Sequence, residues 1–199
     1  MRTLIIALIL LSGCSKGAKS YAPDVDPAAA GTAAIAQYDA DGDGKISGPE
    51  LDKAASLKFS LAKIDSDNDG AITADEIADR IRCWQTTRLL RTRTPVHCRI
   101  YHNRQPVADA EIRLVPEKFL GPKMKIATGR TGPSGVAVLM TEDAARDDPP
   151  GVGPGFYRVE ITKAGEKIPA KYNIDTILGL DTAIDNPAIV KGIRFDLDY

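Results

Sequence analysis

Two stretches place carboxylates at the same relative positions. The first runs Asp39-Ala-Asp41-Gly-Asp43-Gly44-Lys45-Ile46-Ser47-Gly-Pro-Glu50, and the second Asp65-Ser-Asp67-Asn-Asp69-Gly70-Ala71-Ile72-Thr73-Ala-Asp-Glu76. Counted from its first residue, each has acids at positions 1, 3, 5 and 12, a glycine at 6, an aliphatic residue at 8 and a hydroxyl residue at 9. Short acidic side chains alternating along a tight turn aim their oxygens at one centre. That suits a hard divalent cation, which takes about 6–8 oxygens at roughly 2.3–2.6 Å. The backbone carbonyls of Lys45 and Ala71 would serve at position 7, Ser47 and Thr73 directly or through water at position 9, and Glu50 and Glu76 with both oxygens at position 12. Gly44 and Gly70 supply the positive φ of the sharp bend. An acidic, glycine-rich surface turn would account for one such stretch, but not for two filled at every position.

The flanking residues predict the elements that carry these loops. Ile46 and Ile72 would join them through a short antiparallel bridge. Ile35 and Tyr38 precede the first loop at the offsets by which Leu61 and Ile64 precede the second, and Leu51 and Ile77 follow the two closing glutamates. These positions describe helix faces meeting in one small core. The pattern resembles the EF-hand calcium loop. The resemblance implies two Ca2+ ions, held by Asp39, Asp41, Asp43, Lys45, Ser47 and Glu50 and by Asp65, Asp67, Asp69, Ala71, Thr73 and Glu76. Only residues 51–64 separate the loops, and at about 1.5 Å per residue that leaves room for two short helices. The spacing is similar to that of the compact EF-hand pairs of secreted bacterial proteins. With little helix to swing open, the pair reads as a constitutive structural site more than a switch.

The N-terminus is consistent with export. A positive start, Met1-Arg2, leads into an apolar run from Leu4 to Leu11 and then Leu11-Ser12-Gly13-Cys14. The run is too short to cross a hydrocarbon core about 30 Å thick, and it fits a secretory signal. Its end resembles a bacterial lipobox, which implies that Cys14 is lipidated and anchors the protein to the cell envelope. The expected organisation is a signal peptide over 1–13, a lipid-anchored tether over 14–27, an EF-hand pair over 28–91 and a β-domain over 95–199. Outside the cell calcium is plentiful, so modest affinity suffices. Lys and Arg number 26 against 27 Asp and Glu, a net charge of −1. That balance gives no support for a nucleic-acid partner. Arg80, Arg82, Arg88, Arg91, Arg93 and Arg99 cluster, and a solvated helix face running into a linker accounts for them better than a phosphate site.

With Cys14 lipidated, Cys83 and Cys98 remain as an even pair in an oxidising compartment. Cys83 lies off the stripe formed by Ile77, Ile81 and Trp84, and Cys98 falls in the next segment. A disulfide across that junction is the expectation, with two separate thiols the alternative.

Beyond Pro95 the period changes from helical to two-residue. Val96, Cys98 and Ile100 alternate with polar positions, as do Ala110, Ile112 and Leu114, then Tyr157, Val159 and Ile161, and finally Ile193, Phe195 and Leu197. With turn residues at Asn103 to Pro106 and Thr131 to Gly135, this predicts an antiparallel β-sandwich of about seven strands. The whole chain is therefore multi-domain α + β. Asn103 to Pro116 resembles the "added-in" hairpin of carboxypeptidase-regulatory-like and transthyretin-like sandwich domains. Thr128 to Val138 resembles their glycine turn, and Gly155 to Ile161 their G-x-Y-x-V strand. Ile168 to Asn173 and Ile193 to Leu197 are similar to the form found in exported planctomycete-type lipoproteins. These likenesses imply a fold more than an activity.

Catalysis is not expected. His97 and His102 fall on opposite faces of one strand, unsuited to a shared zinc ion. The hydrolases of the transthyretin-like group end in a Tyr-Arg-Gly-Ser type tail, whereas this chain ends Phe-Asp-Leu-Asp-Tyr199. Tyr157 and Tyr172 are expected in the core, the alternative being a glycan-stacking face, and Glu142 to Gly155 reads as a flexible connection. The leading functional reading is an exported calcium-binding lipoprotein acting as a binding or scaffolding module, its partner an envelope protein or glycan. The alternatives are an adhesion module with purely structural calcium and an accessory subunit or minor hydrolase of the envelope.

Overall fold

A computed structural model describes residues 19–142 and 144–199. The expected signal segment and Cys14 lie outside the described residues. Helix α1 (Pro27–Tyr38) starts where Asp26 caps it, its carboxylate accepting the Ala29 N–H at 2.8 Å, with proline at the first helical position. Strand β1 (Lys45–Ser47), helices α2 (Gly48–Lys53) and α3 (Ala55–Ile64), strand β2 (Ala71–Thr73) and helix α4 (Ala74–Thr86) follow. Ala54 alone separates α2 from α3, as the short connection between the loops requires. β1 and β2 pair antiparallel with Ile46 opposite Ile72, both fully buried. α1 packs closely on α4: a Cβ on Gly31 would lie 2.2 Å from the Ala74 carbonyl oxygen, so only glycine fits.

The second half comprises β3 (Val96–His102), β4 (Gln105–Pro106), β5 (Ala110–Pro116), a 3-10 turn (Lys118–Leu120), β6 (Ala127–Arg130), β7 (Val136–Thr141), β8 (Phe156–Lys163), a second 3-10 turn (Ala170–Tyr172), β9 (Gly179–Asp181), α5 (Pro187–Lys191) and β10 (Ile193–Leu197). The strands form one sheet in the order β10-β3-β7-β6-β5-β8-β9, with β4 beside β3. β7 hands the sheet from one leaf to the other. Val136 to Leu139 pair with β3, and Met140 and Thr141 pair with β6. The sheet thus curls, and Cys98, Ile100, Ile112, Leu114, Val159, Ile161, Phe195 and Leu197 share one sandwich-like core. One pair departs from the expected antiparallel pattern: β10 runs parallel to β3, with Ile193 opposite Cys98.

The two halves share a second core. Trp84 of α4 meets Phe156 of β8 at 4.7 Å between ring centroids, and Phe119 meets Phe156 at 5.9 Å. Ile46, Leu57, Ile72, Ile77 and Ile81 join this cluster. A Cβ on Gly179 would lie 2.2 Å from the Ser56 nitrogen, so β9 and α3 touch backbone to backbone. Polar groups cross the same junction. Arg80 donates to Asp181 through Nε at 2.9 Å and Nη2 at 2.6 Å, and to Asp185 at 2.7 and 2.8 Å. Glu117 is 1% exposed and accepts from the Tyr38 and Ser56 hydroxyls, both at 2.7 Å.

Several expectations are corrected here. Cys83 and Cys98 are both free thiols, so the expected disulfide is not formed. Cys98 sits on the inward face of β3, deep in the sheet core. Cys83 is on the solvent side of α4, its Sγ 3.7 Å from Thr87 Oγ1. The two side chains point into different surroundings. Burial pushes the Cys98 thiol up to about 12, which keeps it protonated and unreactive. Thiol titration of the folded protein should therefore modify Cys83 rapidly and Cys98 only on unfolding. Equal rates for the two would contradict this placement.

The expected tether is also shorter than residues 14–27. The Tyr21 N–H donates to the Arg91 carbonyl at 2.8 Å, and Gln85 Nε2 donates to the Pro23 and Val25 carbonyls at 2.9 and 2.8 Å, so residues 21–25 are docked on the body. The connection after β7 is likewise anchored. Val152 is buried, and it exchanges two backbone hydrogen bonds of 2.9 Å with Thr94.

Candidate metal centre

Each acidic loop is wound around its own first aspartate. Asp39 accepts the Gly42 N–H at 2.7 Å and the Gly44 N–H at 2.9 Å, while Asp41 and Asp43 accept from Asp43 and Lys45. In the second loop Asp65 accepts from Asp69 and Gly70, Asp67 from Asp69, and Asp69 from Ala71. These bonds fix the carboxylates before any ligand is considered. Positive φ occurs at Gly44 (86°) and Gly70 (83°) as expected, and also at Gly42 (77°) and Asn68 (59°). Position 4 is thus a second left-handed turn residue, and its signal was present in the sequence: glycine and asparagine tolerate that region best.

Three of the four carboxylates converge in each loop. Asp39, Asp41 and Asp43 form one group, and Asp65, Asp67 and Glu76 the other, with the oxygens of each group within 4.8 Å of one another. Two oxygens bound to one calcium ion lie at most about 5 Å apart, so both groups fit such an ion. Glu50 stands outside the first group. Its carboxylate accepts from the Ala40 N–H at 2.6 Å and the Ser47 N–H at 3.0 Å, and these amides hold its pKa below the usual carboxylate range. Asp69 stands outside the second group; Lys45 of the first loop reaches it at 2.5 Å and lowers its pKa. Lys45 therefore links the two loops by its side chain as well as lying at position 7. Glu76 closes a capping box: it accepts from the Thr73 N–H and hydroxyl, both at 2.9 Å, and from the Ser66 N–H at 2.8 Å. Burial opposes its ionisation, but these donors prevail and lower its pKa. Ser47 and Ala71 sit at the adjoining ends of the bridge, opposite each other in register. The arrangement can hold a hard cation in each loop and tie the two sites together through one strand pair.

The EF hand family model matches residues 33–54 and 60–79, which contain both loops and the last turns of their entering helices α1 and α3. No curated protein and no solved structure matches the chain. Residues 33–79 are thus an EF-hand region, followed by a curled antiparallel sheet domain, and an EF-hand region implies calcium binding.

The remaining candidates resolve differently. The basic cluster disperses. Arg80 is 6% exposed and committed to the ion pairs with Asp181 and Asp185, Arg82 pairs with Asp79, and Arg93 pairs with Asp148 at 3.2 Å. Burial lifts the Asp181 carboxyl to about 6, with Arg80 pulling against that rise. Sequence reasoning placed Arg80 on a solvated face. Its position between Ile77 and Trp84 on the apolar stripe was the available signal, since an arginine there must find acids. His97 is exposed, and the His102 ring stacks on Tyr199 at 4.1 Å. Neither joins a metal-competent group among the described residues. Tyr157 and Tyr172 are buried, so neither ring is offered for glycan stacking.

Proposed function

We propose that this is an exported, lipid-anchored calcium-binding protein, acting as a binding or scaffolding module at the cell envelope and not as an enzyme. It holds two Ca2+ ions, one per loop, as constitutive structural ligands. The observation that carries this reading is the pair of converging carboxylate groups, each within 4.8 Å, on loops joined through β1 and β2. Their helices share a buried core with Phe119, Leu120 and Phe156 of the sheet domain, which supports a structural role for the ions. Lipidation of Cys14 rests on the Leu11-Ser12-Gly13-Cys14 pattern.

Isothermal calorimetry of the mature chain tests the calcium reading. Two sites are expected, with Mg2+ bound more weakly because it demands a smaller octahedral shell. Glu76→Gln should weaken the second site on the order of tenfold or more, since the bidentate ligand closes the coordination sphere. Titration of a single ion, or equal affinity for Mg2+, would overturn the assignment.

A further inference from the structure

We propose that the face formed by Lys19, Arg88, Leu89 and Arg91 rests on an anionic lipid surface. This inference deepens the lipid-anchored reading above and rests on it. Leu89 is 62% exposed in the turn after α4. It shares a shallow pocket of about 400 Å³ with Lys19, Arg88, Arg91 and Thr92. Arg88 and Arg91 have no ion-pair partner among the described residues, whereas Lys19 pairs with Asp148. An exposed leucine ringed by long cationic side chains is the arrangement by which an apolar tip enters the headgroup layer while the charges stay at its surface.

The path of the chain points to the same face. The Tyr21 N–H is bonded to the Arg91 carbonyl at 2.8 Å, and the Arg93 guanidinium lies 4.8 Å over the Tyr21 ring. Lys19, two residues before Tyr21, accordingly lies beside the turn that carries Leu89. From Lys19 back to Cys14 is a contour of at most about 18 Å. An acyl anchor at Cys14 thus confines this patch to within about 18 Å of its attachment, so that it samples the layer of about 8–10 Å in which the headgroup charge acts. The chain as a whole carries a net charge of −1. The patch accordingly sets which face turns to an anionic membrane, while the acyl chain supplies the attachment.

The test links the mature chain to vesicles chemically. A Cys83→Ser protein is coupled through Cys14 to a maleimide lipid, Cys98 being buried. Leu89→Trp then reports depth by quenching from brominated acyl chains, because Trp84 is itself fully buried. Strong quenching is expected on mixed phosphatidylcholine–phosphatidylglycerol vesicles and little on phosphatidylcholine alone. Adding R88Q and R91Q should shift the docked equilibrium roughly thirtyfold towards the undocked state. Equal quenching on both vesicle types, quenching unchanged by R88Q and R91Q, or none on either would overturn the proposal. Acyl labelling of Cys14 in cells is a separate readout. Its failure would sink the natural anchor without altering the vesicle result.

Discussion

Replacing Arg80 with methionine is expected to destabilise the protein by about 3–5 kcal/mol, the cost of breaking a buried ion pair from one side. Asp181 is 0% exposed, and Arg80 supplies two of its hydrogen bonds, leaving the Ala183 N–H as its remaining donor. Methionine fills the space and strands the carboxylate. The loss should depend on pH in a defined direction. Burial already holds the Asp181 carboxyl at about 6, above its unfolded value, and removing Arg80 raises it further. A raised carboxyl favours folding when protonated, so its contribution is present below the unfolded pKa and is lost as pH rises through the folded one. The deficit of Arg80→Met relative to wild type should therefore shrink as pH falls from about 7 towards about 5. Urea denaturation at both pH values, with calcium saturating, measures it. A loss under about 1 kcal/mol, typical of an exposed pair, would mean that the junction admits water. Arg80→Met combined with Asp181→Asn should recover much of the stability, because the charge left without a partner is the main cost.

The calcium loops were legible because every ligand of such a site lies within one continuous stretch, and spacing alone places them. Ile46 opposite Ile72 followed for the same reason. The alternating strands were legible from their own period, including inward Cys98, Ile112 and Val159. What sequence reasoning lost was long-range pairing. Asp181 and Asp185 come a hundred residues after Arg80, and nothing local marks them as its partners. The same distance hid Glu117 beneath Tyr38 and Ser56. Cys83 and Cys98 were matched by counting and by compartment; the periods placed Cys83 off its helix's apolar stripe and Cys98 on an apolar strand face, but not how those two faces lie across the junction. The β10–β3 parallel pair was missed because strand periodicity carries no direction. Residues 21–25 read as tether from small-residue composition, yet Gln85 and Arg91 bind their backbone, an interaction that composition does not encode.

Chelating calcium is expected to lower the unfolding temperature by about 10–20 °C, with both halves melting together. An ion present at about 100 times its dissociation constant stabilises the native state by roughly 2.7 kcal/mol, so two such ions contribute about 5 kcal/mol. The single transition follows from where the loops are attached. Tyr38, the last residue of α1, immediately precedes Asp39, the first carboxylate of the first loop, and its hydroxyl is bonded to Glu117 beside the sheet. In the second loop Glu76 sits one helical turn before Arg80 on α4, and Arg80 grips Asp181 at the end of β9. Each acidic loop is therefore a residue or a turn away from a buried polar contact to the sheet. Trp84 packed on Phe156 carries the same link through the core. Loosening either loop frees the groups that fill this junction, and the sheet loses the cover over Phe156, which is fully buried. Thermal melts followed by near-ultraviolet dichroism for Trp84 and by far-ultraviolet dichroism for the strands, with calcium and with a chelator, would measure both halves at once. Two separated transitions, with only the helical one moving on chelation, would show that the shared core does not carry calcium's stabilisation across. A common shift would make calcium a structural ligand of the whole molecule.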